Sequence, residues 1–262
     1  MPEPAEGTPA PEPGLPTGAP GSAGRAGASA VARTAAGAEA AGAGDRETPE
    51  FVPALADELV PLPVLRREVV HRSYVWDIVD EEIRLPGQDE SFQREYVDHP
   101  GAVAVVAVND RDEVLLIQQY RVPARARLWE LPAGLLDIDG EDPAVAARRE
   151  LEEETDVTCG RLDHLVDLFN TPGGSSETLR IYLARDLSPV PEDRRTERQH
   201  EEREIVPRWV PLDEALNAIM AGTLHNAPLL IGLLTAERYR AQGWQGLRGA
   251  DVPWPSRRLR GQ

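Results

Sequence analysis

Between Gly134 and Val157 the chain reads GLLDIDGEDPAVAARRELEEETDV, and four glutamates, Glu150, Glu152, Glu153 and Glu154, fall within five residues. No other stretch limits the fold as strongly. Asp142 is placed to cap a helix, Pro143 suits its first position, and Ala144, Ala146 and Ala147 are strong helix formers. On such a helix Glu150 and Glu154 share a face with Glu153 beside them, while Ala147 and Leu151 form an adjoining stripe that can bury against a sheet. Like charges at this spacing cost roughly 0.2–0.5 kcal/mol each on an isolated helix. A hard divalent cation that prefers carboxylate oxygen, such as Mg²⁺, is the natural compensation.

Strands are expected on both sides of this helix. Val64–His71 and Tyr74–Leu85 alternate apolar and polar residues, and Phe92–Val97 follows a Pro86-Gly87 turn. Ala102–Val108 is almost continuously apolar, and Asn109–Asp112 turns the chain into Glu113–Gln118, a pattern that predicts a buried hairpin. A loop then runs through Trp129–Ala133 to Gly134. Leu162–Phe169, Thr178–Ala184 and Ile205–Val210 read as later strands, and Pro211–Met220 and Ala227–Tyr239 as helices. Residues 186–204 are polar and contain proline, a long loop of the kind tied to function. The expected fold is α/β, an α/β/α sandwich around a mixed sheet with antiparallel N-terminal strands.

Residues 1–55 are rich in Ala, Gly, Pro, Ser and Glu, too poor in large apolar side chains to offset their ordering entropy, and are expected to be a disordered tail. The domain is expected over 60–250, and 251–262 to be irregular. Charge narrows the partners. The 45 acidic residues outnumber 28 basic ones, all arginine, for a net −17, which disfavours nucleic acid and anionic membranes. The single cysteine, Cys159, fits a reducing compartment. No apolar run approaches the ~18 residues of a membrane span, and the N-terminus does not read as a signal peptide. A cytoplasmic location is expected.

The stretch resembles a Nudix box: Gly, five residues, Glu, seven residues, Arg-Glu-aliphatic-any-Glu-Glu-any-Gly-aliphatic. Gly134, Glu141, Arg149, Glu150, Leu151, Glu153, Glu154 and Val157 match. Six residues separate Gly134 from Glu141, and Asp156 stands at the glycine position, where aspartate tolerates the left-handed conformation that ends a helix. The resemblance implies a Nudix-type sandwich over roughly residues 60–245 and cleavage of a nucleoside diphosphate derivative with Mg²⁺ or Mn²⁺. It makes Glu150, Glu154 and the Ala133 carbonyl metal ligands. Glu153 becomes a further ligand, a catalytic group or the partner of Arg149, and Gly134, Glu141 and Arg149 structural members of the motif.

Gln118–Arg121, Trp129–Gly134 and Pro172, fifteen residues after Val157, are similar to the ADP-ribose pyrophosphatase subgroup. By that resemblance Arg121 contacts phosphate, and Trp129, Glu130 and Glu177 are substrate-site candidates. Trp129 alternatively packs in a dimer core. Glu202, then Glu201, with Glu204 nearby, are candidates for a general base on the long loop. The implied reaction splits ADP-ribose into AMP and ribose 5-phosphate. The alternatives are another nucleoside diphosphate derivative, such as a nucleotide sugar or dinucleotide, or a Nudix-like metabolite sensor without catalysis. The subgroup also implies a homodimer in which residues 60–98 exchange between subunits.

Overall fold

The computed structural model describes residues 55–198, 203–258 and 261. Apart from Leu55, the expected tail lies outside the described residues, as do His200, Glu201 and Glu202. The alternating N-terminal segments form a three-stranded antiparallel sheet in the order β1 (Val64–Arg72), β2 (Asp77–Arg84), β3 (Ser91–Asp98). On β2 the alternation buries Asp77, Val79 and Glu81. Arg67 on β1 matches that buried charge, donating to Glu81 at 3.1 Å and to Asp98 at 2.6 Å.

All of β4 (Ala102–Ala107) is buried because helices cover both of its faces. Val103 and Val105 pack with Ala146, Ala147 and Leu151 of α1 (Pro143–Thr155). Ala104 and Val106 pack with Leu229, Leu233 and Ala236 of α3 (Ala227–Arg240). Each large aliphatic side chain so buried contributes ~1.5–3 kcal/mol, which is why two thin helical stripes hold the layers. β4 lies in a five-stranded sheet, β11 (Arg248–Gly249), β8 (Val157–Phe169), β9 (Thr178–Pro189), β4, β7 (Ala133–Leu135). Its pairing with β9 is parallel and every other pairing is antiparallel, so the sheet is mixed and sandwiched between helices.

The expected β4–β5 hairpin is not formed. β5 (Glu113–Arg121) lies between β10 (Val206–Pro211) and β6 (Ala126–Glu130) in a separate sheet, with α2 (Leu212–Met220) directly following β10. The two neighbours in sequence meet at the turn, through the antiparallel bridge Val108–Val114 and the Asn109 N–H to Glu113 carbonyl bond of 3.0 Å, without extending it into a ladder. Both edges of β4 are taken by β7 and β9, and a strand apolar on both faces carries no sequence signal for its partner. Other boundaries move too. The expected Trp129–Ala133 loop is largely strand, divided between β6 and β7. β8 and β9 pair from Val157–Pro189 to Phe169–Thr178, so the loop expected from 186 begins only after Pro189, with one 3-10 turn at Glu192–Arg194. Trp254 in the C-terminal segment lies over the Arg180 guanidinium, 4.7 Å from ring centre to carbon.

Candidate active site

α1 begins and ends as its residues dictate. The Asp142 side chain accepts a hydrogen bond from the Ala144 N–H at 2.8 Å, and Pro143 takes the first position. The helix stops at Asp156, whose φ of 58° and ψ of 28° are left-handed, with its N–H on the Glu152 carbonyl. Arg198 reinforces this terminus, donating from Nη2 to Asp156 Oδ2 at 2.6 Å and from Nε to the Glu153 carbonyl at 2.9 Å.

Between these caps the glutamates converge on the opening strand of the motif. Glu154 Oε2 accepts from the Ala133 N–H at 2.9 Å. Glu150 lies against Gly134, where a Cβ would fall 2.0 Å from the carboxylate carbon. Glycine is required there for close approach of side chain to backbone, not for an unusual φ. Arg149 holds the cluster together. It grips Glu141 with Nε–Oε1 and Nη2–Oε2 bonds of 3.0 Å each, while Nη1 donates to Glu150 at 2.7 Å and Glu153 at 3.1 Å. The Arg149 fork holds the Glu141 carboxyl below its usual range, and the guanidinium, answered by three carboxylates, is held charged well above its own. Thus Gly134 lies against Glu150, and Arg149 joins Glu141 to Glu150 and Glu153.

A cavity of about 690 Å³ opens beside this cluster. Its wall brings together Ala133, Gly134, Arg149, Glu150, Glu153 and Glu154 with Arg121, Glu130 and Glu177. Arg121 reaches it from β5 and is held by buried Glu130, Nη2 to Oε2 at 2.7 Å, while Gln119 donates to the same carboxylate at 3.2 Å. Glu177 accepts from the Asn170 side chain at 3.0 Å. Trp129 does not line the cavity. Strand alternation turns it away from Glu130, into the core beside α3, with Arg208 stacked 5.9 Å above it. Glu204 pairs at 3.2 Å with Arg127, which shares the Trp129 face of β6.

Sequence reasoning missed several lining residues. Trp76 falls before β2 inside an expected strand, His99 stands before Pro100-Gly101, Asn170 follows the expected strand ending at Phe169, and Asn226 precedes the expected helix from Ala227, whose Leu229 N–H its side chain caps. Only the aromatic character of Trp76 offered a signal, since its position in the cavity depends on tertiary packing.

Among the described residues no three His, Cys, Asp or Glu side chains are already gathered as a metal cluster, and Arg149 bonds to two of the carboxylates, Glu150 and Glu153. The donor set nevertheless suits a hard divalent cation: carboxylate oxygens facing a cavity, brought onto the backbone where a Cβ would intrude.

Comparison with known proteins places this arrangement. The NUDIX domain model matches residues 98–230. The chain is 37% identical over 190 residues to an ADP-ribose pyrophosphatase of Mycobacterium tuberculosis (strain ATCC 25618 / H37Rv), covering 72% of this chain and 89% of that protein. It is 30% identical over 171 residues to a GDP-mannose pyrophosphatase of Cronobacter sakazakii (strain ATCC BAA-894), covering 62% and 84% respectively. A crystal structure described as an ADP compounds hydrolase superposes with a TM-score of 0.58 at 23% identity, covering 72% of this chain and all of that one, a likeness of fold. The chain belongs to the Nudix family and is a Nudix hydrolase.

Proposed function

We propose that this hydrolase splits the pyrophosphate of ADP-ribose, releasing AMP and ribose 5-phosphate, with Mg²⁺ or Mn²⁺ as its cation. The observation that carries the reading is one cavity holding both the Gly134-backed carboxylates and Arg121. A diphosphate needs its charge offset on one side and a fixed planar cation on the other. Glu150, Glu154 and the Ala133 carbonyl hold the divalent cation, with Glu153 as a further ligand or as the partner of Arg149. Bound there, the cation neutralises phosphate charge and makes water more acidic. Arg121, aligned by Glu130, binds a phosphate oxygen. Glu202, then Glu201, serves as general base. Trp76 offers an aromatic face for the adenine.

Val75 and Trp76 precede the second strand of the N-terminal sheet and also line the cavity, which supports a role for residues 60–98 in completing the site. A homodimer exchanging that segment, in the cytoplasm, is the assembly proposed. No helix among the described residues is long and apolar enough to cross a membrane.

The likeness to a GDP-mannose pyrophosphatase supports a second reading, hydrolysis of a nucleotide sugar. Product analysis with ADP-ribose, a nucleotide sugar and a dinucleotide separates the two. AMP and ribose 5-phosphate formed fastest from ADP-ribose, and lost at least ~100-fold in Glu154→Gln, is the expected result. Faster cleavage of another substrate retires the ADP-ribose reading, and binding without turnover makes the protein a sensor.

A further inference from the structure

His99 is stitched into the cavity wall from two sides. Its N–H donates to the buried Ser176 Oγ at 2.9 Å, and the Gly101 N–H donates to its Nδ1 at 3.1 Å. Around it Ser176 N bonds to the Val97 carbonyl at 2.9 Å and Val97 N to the Gly174 carbonyl at 3.0 Å. The end of β3 is thereby zipped to the 174–178 segment, which delivers Glu177 to the same cavity. Because Nδ1 accepts, the ring proton of the neutral imidazole sits on Nε2. Burial pushes the pKa of the ring down, against the pull of Glu177 and Asp98, which favours the neutral form that the Gly101 N–H to Nδ1 bond requires. His99 therefore offers an Nε2–H donor in a wall that Glu177 also lines, brought close by the 97–99 to 174–176 zipper. Asn170 holds Glu177 by Oε2, which leaves Oε1 to accept.

A donor and an anionic acceptor side by side match a ligand group that has both a lone pair and an O–H to give. A phosphate oxygen is repelled by Glu177, and an apolar group would leave the imidazole N–H and carboxylate dry and unpaired. Two adjacent hydroxyls satisfy both. We propose that His99 and Glu177, with Asn170 fixing the carboxylate, clamp a vicinal diol of a sugar ring in the substrate. This rests on the proposed function, in which the substrate carries two ribose rings, and either ring can supply the diol.

The test is equilibrium binding to the full-length protein in EDTA, using ADP-ribose, the methyl ester of ADP (no distal sugar) and ADP-ribose that is 2′-deoxy in the adenosine ring. His99→Asn is the variant, since the Asn Oδ1 replaces Nδ1 as acceptor for Gly101 while the Nε2 donor is lost. Thermal unfolding checks that the fold survives, and His99→Gln, which restores a donor at the longer reach, provides a second variant. The expected result is an affinity loss of about tenfold for ADP-ribose in His99→Asn, partly regained in His99→Gln. That loss shrinks below about twofold on whichever analogue lacks the clamped diol, which also identifies the ring. Equal losses on all three ligands, no loss on any, or no binding by the wild type overturn the clamp. Turnover with Mg²⁺, measured in parallel, judges the proposed function separately: diol-dependent binding without hydrolysis keeps the clamp and removes the enzyme reading.

Discussion

Gly134→Ala is the sharpest probe of how the carboxylates are seated. An added Cβ would lie 2.0 Å from the Glu150 carboxylate carbon and 2.1 Å from Oε1, and an ordinary contact begins near 3.4 Å. The carboxylate must retreat by about 1.4 Å, the difference between those values, or the backbone of β7 must shift against β4. Glu150 is the flexible partner, so most of the displacement falls on it, and overpacking of this kind costs ~1–3 kcal/mol of stability. Catalysis suffers more than folding, because a misplacement of about 1 Å is enough to cost ~100-fold. The assay is steady-state hydrolysis of ADP-ribose across a Mg²⁺ titration, with thermal unfolding alongside. A fall in kcat of roughly 100-fold, a raised Mg²⁺ requirement and a folded protein are expected. Activity within about threefold of wild type, at unchanged Mg²⁺ dependence, would refute the claim that Glu150 works from its seat on Gly134.

Asp156→Gly restores the glycine of the motif and removes the Arg198 ion pair. Relief of left-handed strain, ~1 kcal/mol, roughly offsets loss of a partly exposed pair worth ~0–1 kcal/mol, so stability should stay within about 1 kcal/mol. Because Arg198 anchors the segment leading to Glu201 and Glu202 in sequence, kcat is expected to fall about three- to tenfold, with Asp156→Asn intermediate; unchanged kcat would dissociate that anchor from function. For pH, burial alone would push Asp167 up, but the Arg180 fork at 2.6 and 2.8 Å, with His164, holds it below the usual carboxylate range. Its folded pKa is depressed, so its stabilisation is present above the unfolded pKa near ~4 and is lost as pH falls through the lower folded value. Asp167→Asn, which leaves Arg180 buried without its counter-charge, should cost ~3–5 kcal/mol at pH 7; in denaturant titrations the gap to wild type should close below about pH 4, and a pH-independent gap would contradict the assignment.

The glutamate-bearing helix was legible because its signals are local. Asp142, Pro143 and Asp156 act within a turn of themselves, and the Glu141–Arg149 fork spans only eight residues. Pairing of β4 was not, since a strand buried on both faces has no alternation to set its partner and the nearest candidate in sequence was the wrong one. The two tryptophans show the same limit. Trp129 is the aromatic candidate read from sequence, but the cavity takes Trp76, while one step of strand alternation sends Trp129 to the core. His99 is placed by a hydrogen bond to Ser176, 77 residues away, and no local pattern anticipates such a contact.

Arg149 has a further consequence for how the fold tolerates its own acidity. Glu141, Glu150 and Glu153 all lie within 3.1 Å of its guanidinium, which cannot relieve the arrangement by losing a proton because its pKa is held above the ordinary value. The arginine therefore supplies inside the bare fold much of the neutralisation that a divalent cation supplies when bound. Stripping the wild type with EDTA should leave it folded, lowering stability only by the binding linkage, about 2.7 kcal/mol relative to cation at 100 times its Kd. Arg149→Met keeps the length of the side chain and removes the charge. In EDTA that variant should lose ~3–5 kcal/mol, the range for breaking a partly buried charge pair, and Mg²⁺ should raise its unfolding temperature by more than it raises that of the wild type. The comparison needs only thermal unfolding of both proteins with Mg²⁺ and with EDTA. A wild type that unfolds on chelation, or a variant as stable as wild type without cation, would mean that the carboxylates are kept together by something other than Arg149.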